Sequence, residues 1–448
     1  MTPKHESDPD VTRAFKWLID KLGHAEWKRR RRRIEESIEP LFDLSLSSGG
    51  FRRVTLEDQI AWYLFLVETT EYTPTLTAED EAARVVPVFR RLGADLEQLQ
   101  TIAGLDDQVR RLLSEKSKPD TVLFEMLIGL LYVKNGWSNA EFIPPSPHGK
   151  SPDIRVWDQT RELYAETKRL NTTSGYSAKE RQKWLRMWRP LSEVMLRRRY
   201  PFILDIVFHV ELADLDDHFA ARELESKLGF VIGPCELISN ETWQVSVKPV
   251  NFPRIDSHLH NWDVKVNSRQ LQELVGGGWD RRRGYTHILD ASHHRIGEGV
   301  GFNRYISDIR WAAGAYWHCD ADAANEAKAR DIRAHLAKAV KQIPAGKPGT
   351  IHAGIETFDG EDVEAIRFNR IMRTVRQFDA NGKDLRWVYV HLYESYAPPS
   401  TSWFFDETVY PFGSPNRQDD PLLLNHASIV PELESECDDA HWLRPPPE

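Results

Sequence analysis

The stretch that decides the fold is PDIRVWDQTRELYAETK, residues 152–168. Residues 153–157 and 162–170 alternate in polarity as strands do, and the polar residues between them predict a short turn, so the two strands form a hairpin. Successive side chains of a strand point to opposite faces, so Glu166 and Lys168 share one face. Pairing of the strands brings Asp153 near Glu166. The sequence therefore predicts two carboxylates and a lysine at one edge of a sheet.

A third carboxylate lies ahead of this hairpin. Glu125 is the only charged residue in the apolar run 122–133, for which we predict a helix over 121–133. Because burial of a lone carboxylate is costly, Glu125 should face a cleft or have a cationic partner. Asp153, Glu166 and Glu125 together offer hard oxygen ligands, which suit Mg²⁺ or Mn²⁺ better than zinc. Lys168 adds the positive charge that a phosphoryl substrate requires.

The elements around the hairpin follow a recognisable order. A strand over 141–143 precedes it, and a helix over 176–199, bent or split at Pro190, and a buried strand over 202–210 follow it. The predicted order is helix, three strands, helix, strand. With the motif Pro152-Asp153 and Glu166-Thr167-Lys168, this order resembles the PD-(D/E)xK nuclease superfamily, over residues 116–212.

The resemblance implies a restriction-endonuclease-like fold and divalent-metal-dependent hydrolysis of phosphodiester bonds, usually of DNA. It implies Asp153, Glu166 and Glu125 as metal ligands for Mg²⁺ or Mn²⁺, with Glu125 in support, and Lys168 as the catalytic lysine. It gives no reason to expect another cofactor. Defence against foreign DNA, or DNA repair, is the setting that the analogy suggests.

The predicted helix over 176–199 favours a nucleic-acid partner. It carries eight basic residues against two acidic ones, a net charge of +6. A basic helix beside an acidic metal site suits contact with a phosphate backbone. We expect these contacts from Lys179, Arg181, Lys183, Arg186 and Arg189. Trp184 and Trp188 share one face of the helix and are expected in the core.

A second basic segment, Lys28 to Arg33, has six consecutive basic residues. It can be either a solvated helix face or a patch that contacts phosphates, and the sequence leaves both interpretations open.

The 448 residues suggest two or three domains of an α/β protein. We predict a helical N-terminal region over 1–115, the nuclease-like core over 116–212, and an α/β region over 213–420 that can extend the core sheet. In that region we expect one helix over 323–342 and strands over 350–357 and 385–393. Residues 421–448 are acidic and proline-rich, and we expect a flexible tail.

Composition and charge limit the class of protein and the compartment in which we expect it. The net charge is −9, and the three cysteines are far apart, which predicts neither a disulfide framework nor a zinc ribbon. The chain has no apolar run long enough to span a membrane and begins with a polar segment, so we expect a cytoplasmic protein without a membrane partner. A homodimer would be needed for symmetric double-strand cuts, but oligomeric state is not visible in the sequence.

Two rival interpretations stay open. The chain can be a catalytically silent nucleic-acid-binding or assembly module on the same fold. Alternatively, Glu125 and Lys168 can form a buried structural ion pair, in which case loss of Lys168 would destabilise the protein by several kcal/mol.

Overall fold

The computed structural model describes residues 7–39, 56–144, 151–170, 175–266, 268–329, 332–357, 360–397, 399, 404–414, 422–430 and 440. These residues form helices and two six-stranded mixed sheets, which confirms the predicted α/β class. In this part of the chain, no helix is long and apolar enough to cross a membrane.

The α-helices in chain order are α1 (Pro9–Leu22), α2 (His24–Ile38), α3 (Gln59–Tyr72), α4 (Glu79–Ala94), α5 (Leu96–Leu99), α6 (Leu105–Leu112), α7 (Pro119–Lys134), α8 (Gly175–Arg198), α9 (Phe219–Leu228), α10 (Phe252–Leu259), α11 (Arg269–Gly276), α12 (Asp322–Lys328), α13 (Arg333–Ala339) and α14 (Glu361–Arg376). Helix α7 begins at Pro119, whose fixed φ suits the first turn. It is apolar nearly all round and accordingly buried along most of its length.

The strands in chain order are β1 (Asn139–Phe142), β2 (Ile154–Trp157), β3 (Glu162–Arg169), β4 (Phe202–Phe208), β5 (Cys235–Ser239), β6 (Trp243–Pro249), β7 (Val264–Lys265), β8 (Gly284–Arg295), β9 (Arg304–Cys319), β10 (Pro348–Glu356), β11 (Asp384–Tyr396) and β12 (Phe404–Gly413). The first sheet has the order β1-β2-β3-β10-β11-β12. Strands β3, β10 and β11 are parallel, and the flanking pairs are antiparallel.

The second sheet has the order β5-β6-β4-β9-β7, with β8 on the other edge of β9. Strand β4 thus lies outside the sheet of the predicted hairpin, and residues 116–212 are not one structural unit. The parallel neighbour of β3 is β10, with Ala165 opposite Thr350. Both strands are mostly buried, β4 from an apolar run and β10 from a mixed segment with Thr350 and His352, and neither local pattern tells which of them pairs with β3. The C-terminal region does extend the hairpin's sheet, through β10, β11 and β12.

Helices cover both faces of each sheet. The helical N-terminal region and α7 pack on one face of the first sheet, and α13 and α14 pack on its other face. On the second sheet, α8 and α9 cover one face and α10 and α11 the other. The molecule therefore has two three-layer α/β/α units with separate apolar cores.

Two other expectations need correction, and one hairpin was not expected at all. The helix predicted over 323–342 consists of α12, α13 and a short 3-10 helix, Val340–Gln342. Helix α8 runs as one element through Pro190. The long hairpin of β8 and β9 was not predicted, since its alternation of large, small and charged residues is weak as a strand signal.

The predicted flexible tail is anchored where the structure describes it. The side chains of Leu424, Ile429 and Val430 are buried in the N-terminal core. The carboxylate of Glu407 on β12 accepts hydrogen bonds from the backbone N–H groups of Ile429 (2.7 Å) and Val430 (2.9 Å). Residues 422–430 are therefore part of the fold, and 431–439 and 441–448 lie outside the described residues.

The same Glu407 ends a buried chain of hydrogen bonds. It contacts Nδ1 of His391 at 2.9 Å, and the other ring nitrogen of His391 lies 3.0 Å from Nδ1 of His352. Nε2 of His352 lies 2.8 Å from the hydroxyl of Tyr132 on α7. Burial holds the pKa of His352 well below its ordinary value, so this ring is neutral. The chain links α7, three strands and the C-terminal segment.

Candidate active site

The hairpin of β2 and β3 places the motif carboxylates side by side. Ile154 pairs with Ala165 in antiparallel register. Asp153, one residue before Ile154, therefore lies opposite Glu166, one residue after Ala165. The turn is fixed by Asp158, whose carboxylate accepts backbone hydrogen bonds from Thr160 and Arg161, both at 2.8 Å. The predicted proximity of Asp153 and Glu166 is therefore present and has a local cause.

Asp153 is held in place by one residue of β3. Its Oδ2 accepts hydrogen bonds from the backbone N–H of Thr167 (2.7 Å) and from the Thr167 hydroxyl (2.9 Å). Thr167, the middle residue of Glu166-Thr167-Lys168, thus orients the carboxylate of Asp153. This role of Thr167 was not expected from the sequence.

Glu166 is fully buried. Its Oε1 accepts hydrogen bonds from the Lys168 ammonium group and from the side-chain amide of Gln342. Its Oε2 is buried and has no hydrogen-bond partner among the described residues. Burial and then the neighbouring Asp153 raise the pKa of Glu166 to about 9. An orphaned buried carboxylate oxygen is unusual and indicates a ligand or a proton at this position.

Glu125 comes from α7 and completes the group. Its side chain is buried, and Oε2 accepts hydrogen bonds from the Arg111 guanidinium and from Nε2 of Gln108 (3.3 Å). Burial and then Asp153 raise its pKa to about 7, and Arg111 opposes this shift. The expectation of a cationic partner for Glu125 is confirmed, but that partner is Arg111.

The rival interpretation, a structural ion pair between Glu125 and Lys168, is therefore wrong. Lys168 pairs with Glu166, and its side chain is 24% exposed. An ammonium group that touches a buried carboxylate and still reaches solvent can contact a substrate.

Three polar residues of this site were missed from the sequence. Gln108 and Arg111 lie three positions apart on α6, so they share the face that meets α7. Gln342 is the last residue of the helix predicted over 323–342, and it reaches Glu166 from the 3-10 helix after α13. The i, i+3 spacing on α6 was a usable signal, whereas nothing local links Gln342 to β3.

Whether the cluster can hold a divalent metal depends on its donor atoms. Asp153, Glu166 and Glu125 supply oxygen ligands, as Mg²⁺ and Mn²⁺ require, and burial followed by the charge of Asp153 raises the pKa of both glutamates, a cost that a bound cation would offset. As the side chains stand, however, no three His, Cys, Asp or Glu residues of the described segments are placed to share one ion. The carboxylates instead accept hydrogen bonds from protein donors: Thr167, Lys168, Gln342 and Arg111. The residues fit a divalent cation chemically, and their present hydrogen bonds would have to be exchanged for it.

The basic helix α8 lies on the second sheet, away from the core that carries the carboxylates. Trp184 and Trp188 are buried there, as expected. Lys183 and Arg186 both pair with Asp217, at 2.6 and 3.2 Å. Lys179 and Arg181 are exposed, and Arg189 is 81% exposed beside Glu193. Of the predicted nucleic-acid contacts, Lys183 is therefore largely committed to an internal partner.

The second basic segment is structural in most of its length. Arg29 and Arg33 pair with Glu115, Arg30 with Asp58, and Arg31 with Glu68. These acids come from α3 and from the ends of neighbouring helices. The segment therefore fastens α2 to the rest of the helical region, a role that neither of the two interpretations left open above includes.

Comparison with known proteins found no matching family model, no similar curated protein and no similar solved structure.

Without a divalent cation, the carboxylate cluster should make the protein less stable as the pH rises. The folded-state pKa values of Glu125 and Glu166, about 7 and 9, lie above the ordinary value of 4.5. The native state therefore holds protons that the unfolded state releases, and this stabilisation is complete below pH 4.5 and is lost as the pH rises through 7 to 9. We expect the melting temperature in EDTA to be several degrees lower at pH 9 than at pH 6.

Two comparisons make this measurement specific. Mg²⁺ should raise the melting temperature more at pH 9 than at pH 6, because the cation binds the deprotonated cluster. The Glu166→Gln variant should lose most of the pH dependence. A wild-type melting temperature that stays level or rises over this range would contradict the assignment of raised pKa values to the cluster.

Proposed function

We propose that the chain is a divalent-metal-dependent nuclease that hydrolyses phosphodiester bonds of DNA. The observation that carries the proposal is the convergence of three carboxylates, two of them buried, with Lys168 on Glu166. Burial and then Asp153 raise the pKa of both Glu125 and Glu166, and buried carboxylates perturbed by a neighbouring charge are typical of positions where a cation or a proton is used in chemistry.

The strand order supports a restriction-endonuclease-like core for this site. Helix α7, strands β1 to β3, helix α13 and strand β10 follow one another as helix, three strands, helix, strand, and β10 is parallel to β3. In this reading the core is formed by residues 119–169 and 333–356. The segment with α8 and the second sheet is then an insertion between β3 and α13. This division replaces the predicted core over 116–212.

Each residue of the site has a chemical role in the proposal. Asp153 and Glu166 would hold Mg²⁺ or Mn²⁺, with Glu125 in support, and the ion would supply Lewis-acid activation of the phosphate. Lys168 donates hydrogen bonds from its ammonium group, so it can orient the attacking water or bind the developing negative charge. Thr167 keeps Asp153 in place, and Arg111 does the same for Glu125.

The rival function, a catalytically silent nucleic-acid-binding or assembly module, has one specific observation in its favour. All three carboxylates already accept hydrogen bonds from protein donors: Thr167, Lys168, Gln342 and Arg111. A site satisfied in this way can be purely structural. The two functions differ in turnover and not in binding.

The experiment that tests the proposal is incubation of the protein with supercoiled and linear DNA in Mg²⁺, Mn²⁺ or EDTA, with an RNA of the same sequence alongside. We expect cleavage of DNA that requires the metal. Nicked product would indicate a monomer and linear product a dimer that cuts both strands. Binding without cleavage would favour the silent module, and cleavage of RNA alone would replace DNA as the substrate.

The exposed basic residues of α8 should contribute to DNA binding in proportion to their exposure. We expect Lys179→Ala together with Arg189→Ala to weaken DNA binding and to reduce the slope of log affinity against log salt by about 1 to 2, because up to two phosphate contacts are lost. The measurement is a fluorescence-anisotropy titration at several salt concentrations.

Two exposed arginines of the α/β/α unit that contains the second sheet serve as controls for this titration. Arg222 on α9 and Arg310 on β9 both pair with aspartates, and we expect their alanine variants to keep the wild-type slope. An unchanged slope in the Lys179, Arg189 double variant would remove α8 from the proposed interface.

A further inference from the structure

A cleft of about 360 Å³ lies between the two sheets and is separate from the carboxylate cluster. Thr357, which follows β10, and Glu394 to Tyr396, at the end of β11, form one side of it. The opposite side comes from residues 279–286 and from the first turns of α8. The volume is within the range of small-molecule sites, and the carboxyl ends of parallel strands are where open α/β sheets commonly bind ligands.

Aromatic side chains give the cleft surfaces on which a planar ring can stack. Trp279 and Tyr396 contact each other, with ring centroids 5.7 Å apart, and both line the cleft. The indole N–H of Trp279 is buried and has no hydrogen-bond partner among the described residues. A buried donor without a partner destabilises the protein, and a ring with acceptor atoms would satisfy it.

Three consecutive arginines, 281 to 283, supply positive charge next to these rings. Arg281 lies over the Tyr396 ring at 5.0 Å and pairs with the buried Glu394, and Arg283 pairs with Asp205. Burial raises the pKa of Glu394, and the charge of Arg282, like that of Arg281, opposes this rise. Arg282 is 41% exposed, and its ion pair with the half-exposed Glu361 is loose, at 3.5 Å. Such a surface pair is weak, so Arg282 can exchange Glu361 for a phosphate, which accepts stronger hydrogen bonds.

The remaining charges of the cleft limit the size of the anion. Six arginines line it, but so do six carboxylates, including Asp80, Glu81 and Glu364. A continuous phosphodiester strand would meet these carboxylates at close range, whereas a single phosphate needs only the local charge of one or two arginines. The lining therefore favours a compact ligand over a nucleic-acid strand.

We propose that this cleft binds a free nucleotide, with the base against Trp279 and Tyr396 and the phosphate on Arg282. The site takes no part in the proposed cleavage reaction, and its occupation does not depend on nuclease activity.

The test is isothermal titration of the full chain with AMP, GMP, CMP and UMP, and with adenosine and a 12-nucleotide single strand. We expect at least one mononucleotide to bind with one-to-one stoichiometry and adenosine to bind more weakly than AMP. Arg282→Ala should weaken nucleotide binding by at least tenfold, and Trp279→Phe by about fivefold through loss of one hydrogen bond. Arg222→Ala, which removes a similarly exposed arginine on α9, should change nothing.

Trp279→Phe also separates binding from folding. It keeps a ring in the cleft but removes the unpartnered N–H, so we expect the free protein to be as stable as the wild type or more stable. Absence of binding of all four mononucleotides, binding of the single strand alone, or mononucleotide binding that neither variant weakens would each overturn the proposal.

Discussion

Replacing Lys168 by alanine is expected to lower metal-dependent DNA cleavage by about a thousandfold or more, the scale typical for loss of a group that stabilises charge in the transition state. Lys168 is the cation in contact with Glu166, and its partial exposure lets it reach a bound phosphate. The measurement is the single-turnover cleavage rate in saturating Mg²⁺. Asp153→Asn should have an equal or larger effect, because it removes a proposed metal ligand.

The matched control for this variant is Lys347→Ala. Lys347 lies just before β10 and pairs with Glu162 of β3 at 2.6 Å, so it forms the same kind of ion pair with the same strand. It does not touch the carboxylate cluster, and we expect its loss to change the rate by less than about twofold, as for an ordinary surface pair.

Folding must be checked beside the rate. With a pKa raised to about 9, Glu166 is already protonated at neutral pH, so loss of Lys168 leaves no unpaired buried charge, and the Lys168→Ala protein should melt within a few degrees of the wild type. Full activity of Lys168→Ala, or an equal loss in Lys347→Ala, would contradict the assigned role.

The largest effect on stability is expected from Arg30→Ala, at about 3–5 kcal/mol of the free energy of unfolding. Arg30 is 1% exposed and forms a two-point ion pair with Asp58, and it also donates a hydrogen bond to the backbone carbonyl of Leu113 at 2.7 Å. Its removal takes the close cation away from Asp58, which is mostly buried and keeps the more distant Arg33 guanidinium at 3.8 Å. Asp58 also caps the N-terminus of α3 through the Ala61 N–H, so two helices are affected.

The control is two residues away in the same basic segment. Arg32 is 81% exposed and pairs with Glu36 on its own helix, at 3.4 Å. We expect Arg32→Ala to change the free energy of unfolding by less than about 0.5 kcal/mol. Urea unfolding curves of the two variants give the comparison, and similar values for both would show that burial does not distinguish these arginines.

Much of the candidate site could be predicted from the sequence because it is built from neighbours in the chain. The β2–β3 hairpin spans 16 residues, and its turn is closed by hydrogen bonds to Asp158 within three positions. Alternation of side chains then fixes which residues share a face. Glu125 could be singled out because one charge in an apolar helix requires a partner.

The identity of the partners could not be predicted in the same way. Arg111 meets Glu125 because α6 packs on α7, and Gln342 meets Glu166 although the two residues are 176 positions apart. The packing of the helices decides which of several arginine or amide side chains contacts a given carboxylate. Likewise, six basic residues in a row gave no sign that four of them pair with acids of neighbouring helices.

By itself, the sequence determined the elements whose signal lies within one or two dozen residues: the apolar helix α7, the motif hairpin, the basic helix α8 and the α/β class. Only the tertiary structure decided that β3 pairs with β10 and not with β4, that two sheets form two cores, and that a cleft lies between them. The physical reason is that a strand pattern shows only that a segment is extended and buried, and both β4 and β10 meet that description. Their pairing is selected by the packing of the whole chain and not by local pattern.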